Sequence, residues 1–264
     1  MTPILTAIIC FIVLGGALGI ALSFAGKFLS VEEDPRIAEI VASLPNANCG
    51  GCGKAGCAAL AEAIVKGEAS PSQCAVLDED GFKKILGIMG IEEEQKEKLC
   101  AQVMCSGNLD VAKKKYIYEG VHDCVAASRL AGGDKLCPNG CMGLGTCVAH
   151  CKFDAIHVVN GCAIVDRDKC TGCGACANSC PKNLIKLIPY SANYAVLCTC
   201  TESGAITRKA CDAGCIGCKI CEKTCEKGAV KVEKGLAKID YSLCTRCGKC
   251  MEACPRKIIR DINL

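Results

Sequence analysis

The sequence predicts an α+β protein: a single transmembrane helix at the N-terminus, a small helical module built around cysteines, and two tandem copies of a domain of cysteine loops, short strands and short helices. Three observations predict it. Cysteine supplies 28 of 264 residues while aromatic residues make up only 4%, so the interior needs a filling other than large side chains. Residues 4–25 carry no charge. Nine cysteines recur at a constant offset of 74 residues, the mark of a duplicated domain.

The uncharged run of 22 residues would be about 33 Å long as a helix, against a hydrocarbon core of roughly 30 Å. Lys27 is the first charged side chain and none precedes the run. That bias places the body on the cytoplasmic side of the cell (inner) membrane, as a single-pass protein, in a reducing compartment that suits free thiols. Ser23, Phe24 and Ala25 have the spacing of a signal-peptide cleavage site, but a basic leader is missing and the apolar run is too long for one. Gly15 and Gly19 form a GxxxG pair, and Cys10 reads as a small apolar residue. The anchor is thus residues 1–27.

Residues 28–80 form the small module. Asp34-Pro35 starts a helix, Ile37, Ile40, Val41 and Leu44 mark its apolar face, and Pro45 stops it. The stretch NCGGCGKAGC follows, then a second helix from Ala58 to Lys66 closed by Gly67, with Cys74 in the loop beyond. Residues 81–123 read as a linker and small α/β segment, with a polar helical stretch opening at Glu92 and a lysine-rich helix ending at Gly120.

The repeats are 124–192 and 193–264. Cys124, Cys137, Cys141, Cys147, Cys151, Cys170, Cys173, Cys176 and Cys180 correspond to Cys198, Cys211, Cys215, Cys221, Cys225, Cys244, Cys247, Cys250 and Cys254. The runs CTGCGACANSCP (170–181), CIGCKICEKTC (215–225) and CTRCGKCMEACP (244–255) share the spacing C-x2-C-x2-C-x3-C, which holds a [4Fe–4S] cube whose fourth cysteine ligates the other cube of a pair. Structural zinc takes ligands in separated pairs, into which such a run does not divide. Disulfides are also disfavoured, because disulfide-dense domains are usually small and secreted.

The pairing rule assigns Cys215, Cys218, Cys221 and Cys254 to one cube and Cys225, Cys244, Cys247 and Cys250 to another. In the first copy it assigns Cys151, Cys170, Cys173 and Cys176. The remaining run has Leu144 where its counterpart has Cys218, leaving Cys141, Cys147 and Cys180 one ligand short. Cys137 is the expected replacement, with Cys124 as its competitor. Cys49, Cys52, Cys57 and Cys74 hold a fifth cube in the small helical module. Each repeat is therefore a ferredoxin-like 2[4Fe–4S] domain with βαβ-type strands. Of the remaining thiols, Cys105, Cys124, Cys198 and Cys211 leave room for a sixth cluster; the alternative is that they are buried free thiols.

Neither a P-loop nor a dinucleotide fingerprint is present, His122, His150 and His157 read as surface or packing residues, and no catalytic residue is expected beyond electron transfer. The formal net charge of +3 becomes roughly −7 once five cubes at about −2 each are counted. Against that background Arg246, Lys249, Arg256, Lys257 and Arg260 form a basic patch that would steer an acidic redox partner.

The N-terminal anchor, the C-x2-C-x4-C-x16-C module and the ferredoxin-like portion together resemble the B subunit family of the Rnf complex, a membrane-bound, ion-pumping ferredoxin:NAD oxidoreductase. The resemblance covers nearly the whole chain; two ferredoxin-like domains and Leu144 depart from its simplest members. It implies a protein that accepts electrons from reduced ferredoxin and relays them to the membrane and to the A, C, D, E and G subunits of the complex, with no nucleic-acid partner. The rival readings are a polyferredoxin component of another membrane redox enzyme and a non-redox metal-binding scaffold.

Overall fold

A computed structural model describes residues 2–28, 34–94 and 97–263. Helix α1 (Thr2–Phe28) is continuous over 27 residues, and its described apolar side chains, Phe11, Ile20 and Leu22 among them, stand exposed. Among the described residues no helix is long and apolar enough to cross a membrane; the described side chains of α1 form an unbroken run only over residues 11–24.

The small module packs α2 (Pro35–Ser43), α3 (Cys57–Val65), a 3-10 turn (Pro71–Gln73) and α4 (Glu79–Met89) around Ile40, Leu60, Ile64, Phe82 and Ile85. Asp34 caps α2 by accepting the Arg36 N–H at 2.9 Å, Asp78 caps α4 by accepting the Gly81 N–H at 3.0 Å, and Gly90 ends α4 in the left-handed region. The helix of this stretch is thus α4, upstream of Glu92. Residues 91–94 carry no helix.

The segment between the module and the first repeat also differs from expectation. Residues 99–103 form β1 (Leu99–Val103), which pairs antiparallel with β4 (Ile185–Pro189), so the first repeat begins upstream of Cys124. The lysine-rich stretch is not helical. Ala112 bridges to Cys211 and Lys114 to Lys135, and this tertiary pairing of an extended backbone outweighs the helix propensity of the lysines.

The first repeat runs β1, α5 (Cys124–Arg129), α6 (Thr146–Ala149), β2 (Ile156–Val159), β3 (Cys162–Val165), α7 (Ala175–Ser179) and β4. The second runs β5 (Tyr194–Val196), α8 (Gly204–Ala210), α9 (Ile220–Thr224), β6 (Val230–Glu233), β7 (Leu236–Ile239), α10 (Lys249–Glu252) and β8 (Ile259–Asp261). In each, the first strand pairs antiparallel with the last and the two middle strands form a hairpin. No parallel βαβ pair forms among the described residues. Strands of three to five residues are short enough for the outer pair to close over the core while the hairpin covers its other end.

Cysteine forms much of these cores. Cys100, Cys141, Cys147, Cys162, Cys170 and Cys176 are buried with Ile156, Leu184 and Ile185 in the first repeat. Cys215, Cys221 and Cys250 are buried with Val230, Ile258 and Ile259 in the second. Metal binding at such a core is also folding energy, whereas the small module has an apolar core besides its thiols. Stripping the iron anaerobically is expected to abolish amide-exchange protection in β2–β3 and β6–β7 while α2 and α4 keep theirs; equal loss throughout would contradict this.

Candidate metal centres

The cysteine loops share one backbone device. The residues flanking the middle position of each run lie in the left-handed region: Gly172 and Gly174 around Cys173, Gly217 and Lys219 around Cys218, Arg246 and Gly248 around Cys247, with φ between 59° and 78°. Alternating left- and right-handed residues turn successive N–H groups into a concavity that suits an anion. Gly143 and Gly145 adopt the same conformation around Leu144, so that loop keeps its shape without its thiol. Backbone N–H groups also meet sulfur directly: Ala101 donates to Cys170 Sγ at 3.3 Å and Ala155 to Cys151 Sγ at 3.4 Å.

The thiols gather in shells. Cys49, Cys52, Cys57 and Cys74 line one cavity; burial pushes the Cys74 thiol up, and the three neighbouring thiols add to the shift. Cys176 is raised to about 11 by burial, then by Cys170, Cys173 and Cys151. Cys221 is raised to about 11 by burial, then by Cys215, Cys254 and Cys218. Burial, then Cys244, Cys225 and Cys247, raises Cys250. Desolvated thiols at such close quarters resist ionising together unless a cationic centre balances them. Among the described residues no three Cys, His, Asp or Glu side chains converge to hold a single metal ion. A polynuclear cluster, whose irons each take one thiolate, fits four thiols around an open volume.

The shell beside Leu144 has a different fourth member from the one expected. Cys147 is pushed to about 12 by burial, then by Cys141, Cys124, Cys180 and Cys176, and Cys124, Cys141, Cys147 and Cys180 line one cavity. Thr146 fixes this arrangement. Its Oγ1 accepts the Cys124 N–H at 2.6 Å and donates to the Asp123 carboxylate at 3.0 Å, pinning the start of α5 against the start of α6. Cys137 lies in another cavity, with Cys105, Cys198, Cys200 and Cys211.

The repeat register shifts accordingly. Cys105 follows the first strand of its repeat and its sulfur accepts the Cys141 N–H at 3.5 Å; Cys198 follows the first strand of the other and accepts the Cys215 N–H at 3.4 Å. Cys105 is thus the counterpart of Cys198. Cys124 opens α5 behind the cap Asp123, as Gly204 opens α8 behind the cap Ser203. The first copy therefore has a thiol on its helix and Leu144 in its loop; the second has Gly204 and Cys218.

Two other cysteines support the shells from behind. The buried Cys100 thiol hydrogen-bonds Cys170 and holds it below the usual thiol range, at about 6. Cys162 does the same for Cys141. Hydrogen bonds to ligating sulfur are one of the levers on cluster potential.

The small module sits directly on the first repeat. A Cβ at Gly51 would collide with the Cys173 carbonyl, Cys173 lines the cavity of the module's four thiols, and Lys152 Nζ donates to the Asn48 carbonyl at 2.8 Å. At the other end of the chain, Cys218 and Cys247 are exposed, and both belong to the second repeat.

Replacing Cys100 by Ala removes a hydrogen bond to Cys170 worth about 1 kcal/mol, so the potential of the centre held there is expected to fall by about 40 mV in an anaerobic redox titration. An unchanged potential would remove Cys100 from this role.

Comparisons with known proteins agree with this site chemistry. A family model for an Fe-S cluster matches residues 44–76, and models for a 4Fe-4S binding domain match residues 163–186, 212–228 and 237–260. The chain is 41% identical to the B subunit of the Na(+)-translocating ferredoxin:NAD(+) oxidoreductase complex of Acetobacterium woodii, over 94% of this chain and 74% of that one. It is 40% identical to the B subunit of the ion-translocating oxidoreductase complex of Methanosarcina acetivorans, over 93% of this chain and 94% of that one. It is 38% identical to the B subunit of the proton-translocating ferredoxin:NAD(+) oxidoreductase complex of Clostridium ljungdahlii, over 99% and 94%. Identity at this level over nearly the whole length, joined to cysteine shells in both kinds of matched domain, means that the chain belongs to the B subunit family of the ion-translocating ferredoxin:NAD oxidoreductase (Rnf) complexes.

Proposed function

We propose that this chain is the iron–sulfur electron-transfer subunit of a membrane-bound, ion-translocating ferredoxin:NAD oxidoreductase complex, taking electrons from reduced ferredoxin at its second repeat and delivering them to partner subunits at its N-terminal module. The observation that carries this reading is the succession of thiol shells from the exposed Cys218 and Cys247 to the close junction of Gly51 with Cys173. [4Fe–4S] clusters held in such shells supply reversible one-electron carriers.

Five ligand sets follow from the shells: Cys49, Cys52, Cys57 and Cys74; Cys151, Cys170, Cys173 and Cys176; Cys124, Cys141, Cys147 and Cys180; Cys215, Cys218, Cys221 and Cys254; and Cys225, Cys244, Cys247 and Cys250. The protein's own part is to hold these thiols, direct N–H groups at them and keep water from all but the outermost. For the anchor, α1 supplies 27 helical residues of which 4–25 are uncharged, with apolar side chains exposed along it. It would fix the module at the cytoplasmic face of the membrane, beside the other subunits of the complex.

Docking of an acidic ferredoxin uses only part of the basic patch. Arg256 is spent internally, donating to the Cys211 carbonyl at 3.0 Å and the Gly214 carbonyl at 3.4 Å, and Lys249 pairs with Glu226 at 2.5 Å. Arg246, Lys257 and Arg260 are exposed. Changing these three to Glu is expected to slow reduction by ferredoxin roughly tenfold at low salt and to weaken its ionic-strength dependence, measured by stopped flow. A rate that does not change would rule out docking here. Reduction of the clusters by dithionite should be unaffected, which separates docking from cluster loss.

A further inference from the structure

We infer that Cys105, Cys137, Cys200 and Cys211 form a sixth iron–sulfur ligand set, seated between the two ferredoxin-like repeats. The inference rests on the iron–sulfur reading of the chain but not on the identity of its partners. None of these four cysteines falls within a matched family domain.

The two repeats each contribute two of these thiols to one cavity, which Cys198 also borders. Cys105 Sγ and Cys211 Sγ both lie beside Gly107, each 3.5 Å from where a Cβ on that glycine would stand. Cys137 neighbours Cys200 and Cys105 within the cavity, and Cys200 Sγ lies 3.6 Å from Thr207 Oγ1. Cys200 is 2% exposed and Cys211 7%. Four thiols from four separate segments thus line one cavity, as in the shells described above. Cys198 also lines the cavity, but its thiol neighbours are Cys215 and Cys200, whereas Cys137 neighbours Cys200 and Cys105 and Cys211 neighbours Cys105.

A buried cation stands between this cavity and the neighbouring shell. Lys135 is only 2% exposed, and its Nζ donates to the carbonyls of Gly107 at 2.6 Å and Gly161 at 2.9 Å rather than to a carboxylate. Its stem passes beside Gly140 and Cys137. Buried charges are ordinarily paired. Lys135 acts on Cys211 of this cavity and on Cys141 of the neighbouring shell, so thiolates bound to clusters at the two sites would share in balancing it.

The position also bears on the order of the shells. Cys105 accepts an N–H from Cys141, the first cysteine of one shell, and Cys198 accepts one from Cys215, the first of the next. The cavity therefore sits between the nearest shells of the two repeats. Uptake of a preformed cube would exchange four thiol protons for four sulfur–iron bonds, with no oxidation or reduction of the protein.

The test is the iron and acid-labile sulfide content of the full-length chain, purified anaerobically, with low-temperature EPR after reduction. The assignment expects about 24 irons per chain, falling to about 20 in Cys137→Ala/Cys211→Ala with the other EPR signals retained. Cys200→Ala, a smaller change, is expected to lose iron from this site alone, and Cys198→Ala to keep the full content. About 20 irons in the unaltered chain, an unchanged count in the double variant, zinc at this site, or iron loss on replacing Cys198 but not Cys200 would each overturn the assignment. A chain with no iron at all would instead overturn the iron–sulfur reading itself.

Discussion

Close-packed, desolvated thiols are the constraint on which the rest of this structure depends. Burial first, and then the neighbouring thiols, drive the Cys147, Cys176 and Cys221 thiols up, and four of them in one cavity cannot ionise together without a cationic centre. Each shell in the repeats also draws a ligand from a distant segment: Cys151 joins Cys170, Cys173 and Cys176, and Cys254 joins Cys215, Cys218 and Cys221. On the proposed assignment, the same groups bind the cofactor and hold each repeat together. Short hairpins and a handful of buried Ile, Val and Leu residues suffice for the rest of each core, because the ligands take the role that a larger domain assigns to aromatic packing.

Much of this was legible in the sequence because cysteine spacing encodes local loop geometry. The runs at 170–180, 215–225 and 244–254 state their own chemistry, and Asp34-Pro35 announces the start of α2. Features that depend on tertiary approach were not legible. Cys124 reaches its shell through Thr146 and Asp123, whereas Cys137 merely stands nearer Cys141 in sequence. Residues 99–103 gave no sign of a partner, since that partner is 185–189. Cys105 and Cys141 are 36 residues apart while Cys198 and Cys215 are 17 apart, so a constant offset of 74 aligned Cys198 with the wrong residue. Arg256 looked like a free surface charge, and only the fold reveals that carbonyls occupy it.

The duplicated domains have diverged in how they complete one shell while keeping the loop that surrounds it. Gly143 and Gly145 hold the same left-handed conformations around Leu144 that Gly217 and Lys219 hold around Cys218. The loop is thus kept as a backbone shape, and the ligand has become a separable element that either the loop or the neighbouring helix can provide. Gly204 marks the other half of that exchange, since a Cβ there would approach the Ile216 carbonyl to 2.7 Å. A helix-borne thiol and a loop-borne one are alternative solutions to one packing problem.

The junction at Gly51 decides how the N-terminal module can behave. Backbone lies against backbone where Gly51 meets Cys173, with no room for a side chain between them. Domains that ferry a cofactor between stations need a wet, weakly packed contact that can be made and broken in every cycle. Here the module touches the first repeat directly at Gly51, and beside that point a cavity of about 710 Å³ opens between the two, lined by Gly51, Cys74 and Phe82 on one side and Leu99, Cys170 and Cys173 on the other. The two parts thus meet at a backbone point of contact with a hollow beside it, so a side chain added at Gly51 would wedge them apart there and nowhere else along their boundary.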